Sequence, residues 1–188
     1  VRPRPKIPPP AWALAGLALP VYALLLFVPA APHIPASQAF IGLVLSAAPA
    51  ARAGKLVTFG VTPGFPSTAY GYIQKGQPEG FGGYDVARFV EKPEVDRALE
   101  FLADGGYLWN AGIFLVRAGT LLEALQAHAP DILEVCGGAM QNSKRDGLFI
   151  RPDAQTFAAC RNQSIDYAVM EGAANVVVFP LDGPWSDV

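Results

Sequence analysis

Cysteine and histidine are scarce in this chain, and that scarcity removes several kinds of protein at once. There are 2 cysteines and 2 histidines in 188 residues. Cys136 and Cys160 have no metal-type spacing and form no disulfide framework, so a reducing, cytoplasmic compartment is the default. His33 and His128 stand apart from each other and from any ligand cluster, which argues against a histidine-built metal centre. Charge is sparse too: 16% of residues are charged, the formal net charge is −2 and the pI is about 5.6. A chain so balanced has no long-range attraction for nucleic acid or anionic lipid, and any phosphate it binds must be met locally. No internal repeat marks a solenoid or propeller.

What the chain has in quantity is apolar material, 52% of residues with a mean hydropathy of +0.28, in a length suited to one ordinary domain. Residues 1–23 are an atypical Pro/Ala-rich segment, opening with a basic, proline-rich tail over Val1 to Pro10. No Lys, Arg, Asp or Glu lies between Lys6 and Arg52. Ala11 to Ala31 therefore competes between a membrane anchor and, over Leu24 to Val28, a short buried parallel strand; Pro20 and Pro29 favour the strand. Residues 24–188 read as the domain itself.

Along that domain, Ser37 to Ala53 predicts a helix that Pro49 breaks or ends and Gly54 stops. Leu56 to Val61 predicts a strand that runs into the turn-rich Thr62 to Ser67, the kind of loop where α/β sheets bind ligands. Tyr70 to Gln74 and Tyr84 to Val90 predict two more strands, the second returning antiparallel to the first or lying as an edge to it. Val95 to Ala103 predicts a helix with Val95, Leu99 and Leu102 inward, closed by Gly105-Gly106. Leu108 to Val116 is a buried strand, Thr120 to Ala127 a helix, and Asp131 to Val135 the start of another. Gln141 to Gln155 reads as a loop or weak helix. Ser164 is placed as an N-cap for a helix over Ile165 to Met170, and Val176 to Phe179 is a last strand.

Two stretches carry chemistry. In Phe89-Val90-Glu91-Lys92-Pro93, an acid and a base arrive side by side where Pro93, having no N–H, must end a central strand. In Tyr107 to Phe114, one amide, Asn110, sits among apolar residues, with Ala111 and Gly112 leaving room for close approach. A phosphorylated polyol suits both. Glu91-Lys92 reads equally well as a solvated charge pair, and Asn110 as a turn residue. Asp166 is accounted for as a helix-start acid, and Trp109 and Trp185 as core or pocket wall.

Six segments in order resemble the guanylyltransferases that make GDP-mannose from mannose 1-phosphate and GTP, including the longer type with a phosphomannose isomerase domain. They are Lys55 to Gly60, Thr68 to Ile73, Arg88 to Pro93, Tyr107 to Phe114, Ser164 to Glu171 and Trp185 to Val188. The resemblance implies an α/β, Rossmann-like nucleotidyltransferase fold with a mixed, mostly parallel sheet, truncated at both ends. It implies that the sugar-phosphate oxygen attacks the α-phosphorus of GTP and releases pyrophosphate, with Mg²⁺ as cofactor. It assigns Lys92 to the sugar phosphate, Glu91 and Asn110 to sugar hydroxyls, the Gly71 N–H to the sugar, and Asp187 to Mg²⁺. Catalysis would rest on Lys92 and Asp187; the partners are a sugar phosphate and GTP, without nucleic acid or membrane, and oligomerisation stays open.

The departures matter as much. The glycine-rich nucleotide loop of that family has no counterpart here, and Pro29-Ala30-Ala31-Pro32-His33 puts Ala31 where the second metal-binding Asp belongs. Ala69 and Pro184 stand where glycine is usual, which questions the local backbone. The expectation is a chain impaired in nucleotide transfer, or alternatively an inactive sugar-phosphate-binding or regulatory module.

Overall fold

Strand β3 (Leu56–Val61) is buried along its whole length because both of its faces are covered. The structure is a computed structural model and describes residues 23–29, 32–33, 37–183 and 185–187. Alternation along β3 sends Val57, Phe59 and Val61 into one core and Leu56 into another. Its parallel neighbour β9 (Val176–Leu181) divides in the same way, Val177, Phe179 and Leu181 against Val176 and Val178. Helices α1 (Ser37–Arg52) and α2 (Val95–Asp104) cover the first face through Ala47, Ala50, Ala51, Ala98 and Phe101. On the second lie α3 (Ala118–His128), through Ala124, and a π-helical turn, Asp166–Met170, through Ala168, Val169 and Met170. A sheet covered on both faces is the layer plan of an α/β domain.

The rest of the sheet comprises β1 (Leu24–Phe27), β4 (Tyr72–Pro78), β5 (Tyr84–Val90) and β6 (Tyr107–Arg117). Its order is β1-β6-β3-β9-β5-β4, with a further β6–β4 pairing that closes five strands into a circuit. The mixed sheet is as expected, but not the mostly parallel one: among the described residues β3–β9 is its single parallel pair. The tight Glu79–Gly83 turn joining β4 to β5 can only make antiparallel neighbours, since parallel ones require a crossover. The Leu24 segment is likewise corrected. It forms a strand, but an antiparallel one on the outer edge of β6, leaving Leu26 and Phe27 exposed.

Pro49 lies inside α1 instead of ending it. The carbonyl that a proline at this position deprives of its donor belongs to Leu45, which is solvent-exposed, so water can replace the bond. The helix stops at Gly54 (φ 90°), where Gly54 N–H donates to Ala51 O and Lys55 N–H to Ala50 O. Helix α2 turns Ala98 and Phe101 inward, while Val95 (55% exposed) and Leu99 (48%) face solvent. Phe101 wins the inward face because its ring stacks on Tyr107 at 4.1 Å. After α4 (Pro130–Gln141), the expected loop is a hairpin of β7 (Lys144–Asp146) and β8 (Phe149–Arg151). It turns at Gly147 (φ 58°) and leads into the short α5 (Ala154–Ala158), capped by Asp153.

A small second sheet pairs β10 (Ser186–Asp187) with β2 (Pro32–His33). No helix among the described residues is long and apolar enough to cross a membrane; most of the Ala11 to Ala31 stretch lies outside them.

Gly60 is a tight point of the core. A Cβ there would stand 2.8 Å from Leu108 Cβ and 2.9 Å from Val178 Cγ2. Gly60→Ala is expected to lower stability by about 1–3 kcal/mol, the usual cost of overpacking, read as a lower urea midpoint at unchanged m-value.

Candidate functional site

The site is built at a break in strand pairing. Thr58 of β3 faces Phe114 of β6, yet Gly60 faces Asn110, so Ala111, Gly112 and Ile113 bulge out opposite Phe59 alone. Gly112 supplies the positive φ of 68° that the bulge demands. Asn110 closes it, its Oδ1 accepting from Gly112 N–H at 3.2 Å and from the Thr58 hydroxyl at 3.1 Å. The amide orientation is thereby fixed, with Nδ2 pointing away from the core and donating to Asp166 Oδ1 at 2.8 Å. A carboxamide oxygen has two lone pairs and its nitrogen two hydrogens. Among the described residues Asn110 therefore keeps one N–H without a partner, and what it has to offer a ligand is a donor.

Glu91 and Lys92 follow the last residue of β5, as the proline required. Consecutive residues of an extended strand point to opposite faces. Lys92 escapes that geometry by adopting φ 47°, the one positive φ of a described non-glycine residue. The turn brings its Nζ back to Glu91 Oε1 at 2.7 Å. Lys92 is 58% exposed and Glu91 8%, so the cation reaches solvent and the carboxylate is held inside. The hydrogen bond and charge of Glu91 raise the Lys92 ammonium above its ordinary value, keeping it charged.

Gly71 stands between these two groups. Its carbonyl accepts from Asn110 N–H at 2.8 Å, and any Cβ there would collide with Glu91 Oε2. The loop before it is pinned: Ser67 N–H donates to the Tyr72 hydroxyl at 2.9 Å and Ala69 N–H to Ser67 Oγ at 3.2 Å. Ala69 is exposed and has no positive φ, so alanine is accommodated where the resemblance has glycine. Phe65 and Tyr70 pack edge-on against Trp109, and Tyr70 against Trp185, forming the apolar wall expected of the two tryptophans.

Glu91, Lys92, Asn110 and Gly71 thus converge. Asp166 joins them, and sequence reasoning passed it over because a helix-start acid explained it fully. In place of the expected N-cap, Ser164 contributes only its backbone carbonyl, to Ala168 N–H. The five-residue π turn begins at Asp166, next to Asn110. Burial, and then the charge of Glu91, push the Asp166 carboxyl above its usual range, against the Asn110 hydrogen bond and Lys92. Glu171, at the far end of the turn, accepts from Glu91 N–H at 3.4 Å.

The Asp187 side chain and all of Ala31 lie outside the described residues, although the Asp187 backbone pairs with Pro32. Among the described residues no group of three His, Cys, Asp or Glu side chains converges as a metal cage.

A family model described as "Nucleotidyl transferase" matches residues 10–188. Among curated proteins, a mannose-1-phosphate guanylyltransferase of Escherichia coli is 47% identical over 188 residues, covering 95% of this chain. The chain spans 39% of that relative's length. Among solved structures, one titled mannose-6-phosphate isomerase from Helicobacter pylori superposes with TM-score 0.83 at 34% identity, covering 94% of this chain and 69% of the other. A second, titled mannose-1-phosphate geranyltransferase from Thermus thermophilus, gives TM-score 0.76 at 32% identity, covering 87% and 46%.

The raised Asp166 carboxyl fixes the sign of a pH effect. The folded state keeps this proton to higher pH than the unfolded chain does, so stability is fully present below the ordinary aspartate value and declines as pH rises through the folded one. Urea unfolding between about pH 4 and about pH 8 should show the wild type losing stability relative to Asp166→Asn as pH increases. A difference that is flat, or that slopes the other way, would remove the burial argument.

Proposed function

The chain belongs to the nucleotidyl transferase family, and on that premise we propose that it is the sugar-phosphate-recognising part of a mannose-1-phosphate guanylyltransferase. The supporting observation is the convergence of one available amide N–H, one nearly buried carboxylate and one exposed ammonium around a glycine that leaves space. A vicinal diol matches the first two, one hydroxyl accepting from Asn110 and one donating to Glu91. A phosphate matches Lys92 as a point charge. The Gly71 N–H serves the sugar where any side chain would displace Glu91.

In the reaction proposed, the sugar-phosphate oxygen attacks the α-phosphorus of GTP and pyrophosphate leaves. No protein nucleophile is required, so the chain's own residues act by binding and orienting: Lys92 holds the attacking phosphate and Glu91 with Asn110 fix the ring's rotation about it. Mg²⁺ would supply charge neutralisation at the nucleotide phosphates. Asp187 is the one protein carboxylate proposed for it, since the resemblance puts Ala31 where a second would stand. The exchange is proposed to occur in the cytoplasm.

Ala31 favours a second reading, a sugar-phosphate-binding module without nucleotide transfer. Isothermal titration separates the two. Mannose 1-phosphate should bind the wild type and lose about 10–100-fold in affinity in Lys92→Ala, the value of a charge-assisted hydrogen bond. Heat on adding GTP with Mg²⁺, and GDP-mannose in the product, support transfer; sugar-phosphate binding alone supports the module. Equal affinity in wild type and Lys92→Ala would overturn both. Gly71→Ala should weaken the sugar phosphate by a similar factor while leaving the fold, seen by circular dichroism, unchanged.

A further inference from the structure

Cys136 and Cys160 are 24 residues apart in sequence, yet their sulfurs lie 3.9 Å from each other. Cys136 is on α4 and Cys160 just past the end of α5, and both are half-buried. The fold brings them together deliberately on several sides. Asp153 N–H donates to Ala139 O at 2.9 Å, starting α5 against the end of α4. Helix α5 lies close over Gly138, where an added Cβ would be in ordinary contact with Thr156 at 3.5 Å. Beyond Cys160, Arg161 grips Asp131 in the first turn of α4 with two hydrogen bonds, Nε to Oδ2 at 2.9 Å and Nη2 to Oδ1 at 3.1 Å. The bidentate pair draws the chain back onto the helix that carries Cys136.

We propose that Cys136 and Cys160 form a reversible dithiol–disulfide modification site whose co-reactant is a small-molecule disulfide of the glutathione class. A disulfide needs its sulfurs about 2.05 Å apart, so the pair must close by about 2 Å. Side-chain rotation and a small slide of α5 supply this, because α5 is a single short turn, and none of its residues is buried.

The exchange balances in two steps. The Cys160 thiolate attacks one sulfur of the small disulfide, forming a mixed disulfide and expelling one thiolate, which takes up the proton that Cys160 gave up. The Cys136 thiolate then attacks the Cys160 sulfur of that mixed disulfide and expels the second small thiol. Two electrons pass from the protein sulfurs to the reagent, and two small thiols are released. The order follows from environment: burial and the neighbouring Cys160 sulfur raise the Cys136 thiol, making it the poorer first nucleophile and the resolving partner. The bridge would fasten the β7–β8 hairpin and α5 to α4 as one closed loop. Cys160 is also the last cysteine before the segment leading to Asp166, so the bridge anchors the start of that segment.

The test uses the folded chain in glutathione buffers of graded ratio, quenched with an alkylating agent and weighed intact. Expected is a species without alkyl groups and lighter by two hydrogens, monomeric on non-reducing electrophoresis and restored by dithiothreitol. Any two cysteines in one chain pair to some extent when unfolded, so the same equilibrium is measured in urea. Native proximity should favour the bridge by about tenfold or more over the unfolded chain. Cys160→Ser should leave Cys136 slower to acquire glutathione than Cys160 is in Cys136→Ser. Two glutathione adducts, disulfide-linked dimers, or a native equilibrium no better than that in urea would overturn the proposal.

Discussion

The carboxamide oxygen of Asn110 accepts two hydrogen bonds from within the protein, one from Thr58 on the neighbouring strand and one from Gly112 two residues ahead. Both come from the place where β6 gives up its register with β3, and without them the bulge would leave buried polar groups unpaired. The same bulge marks a change of partner along β6. Tyr107 to Trp109 pair with β4, while Phe114 to Arg117 pair with β1. One irregularity therefore lets a single strand serve two parts of the sheet and aims an amide nitrogen outward between them. The packing on either side makes it rigid: Ile113 is fully buried and Trp109 nearly so.

The second device is backbone strain spent on charge placement. A non-glycine residue at positive φ is disfavoured by roughly 1–2 kcal/mol, and the preceding position to a proline is restricted as well. Lys92 accepts both, and the return is an ammonium beside a carboxylate that the strand would otherwise have sent to the opposite face. Strain of this kind persists where surrounding structure holds it. Here Pro93 is buried, and Glu91 is tied by its N–H to Glu171.

Legibility in the sequence followed the locality of the cause. The strands Leu56–Val61 and Tyr84–Val90 were readable because β-branched and aromatic residues fill short runs bounded by turn residues. Glu91, Lys92 and Asn110 were readable as a constellation through their motifs. Features decided by distant partners were not. The inward face of α2 depends on Tyr107 lying under Phe101, and periodicity alone chose Val95 and Leu99. The survival of Pro49 within α1 depends on the exposure of Leu45. The antiparallel setting of Leu24–Phe27 depends on the far half of β6. Asp166 was hidden because one sufficient local explanation, the charge preference of a helix start, concealed a contact with a residue 56 positions away. The meeting of Cys136 and Cys160 had no local signal at all.

Electrostatics ties the proposed ligand's two halves together. Lys92 is the cation beside Glu91 and Asp166, and Glu91 depends on it for its charge partner. A phosphate alone, by drawing Lys92 toward itself, would strip that partner from a carboxylate only 8% exposed, and burying an unpaired charge is costly. A sugar without phosphate would find Lys92 still engaged with Glu91. Only a molecule with both groups exchanges one satisfied arrangement for another, hydroxyls replacing the ammonium at Glu91 while the ammonium moves to the phosphate. For the proposed ligand, discrimination would come from the penalty that each half meets by itself. That penalty exists because the fold holds Glu91 inside and leaves Lys92 at the surface, the asymmetry set by one residue at φ 47°.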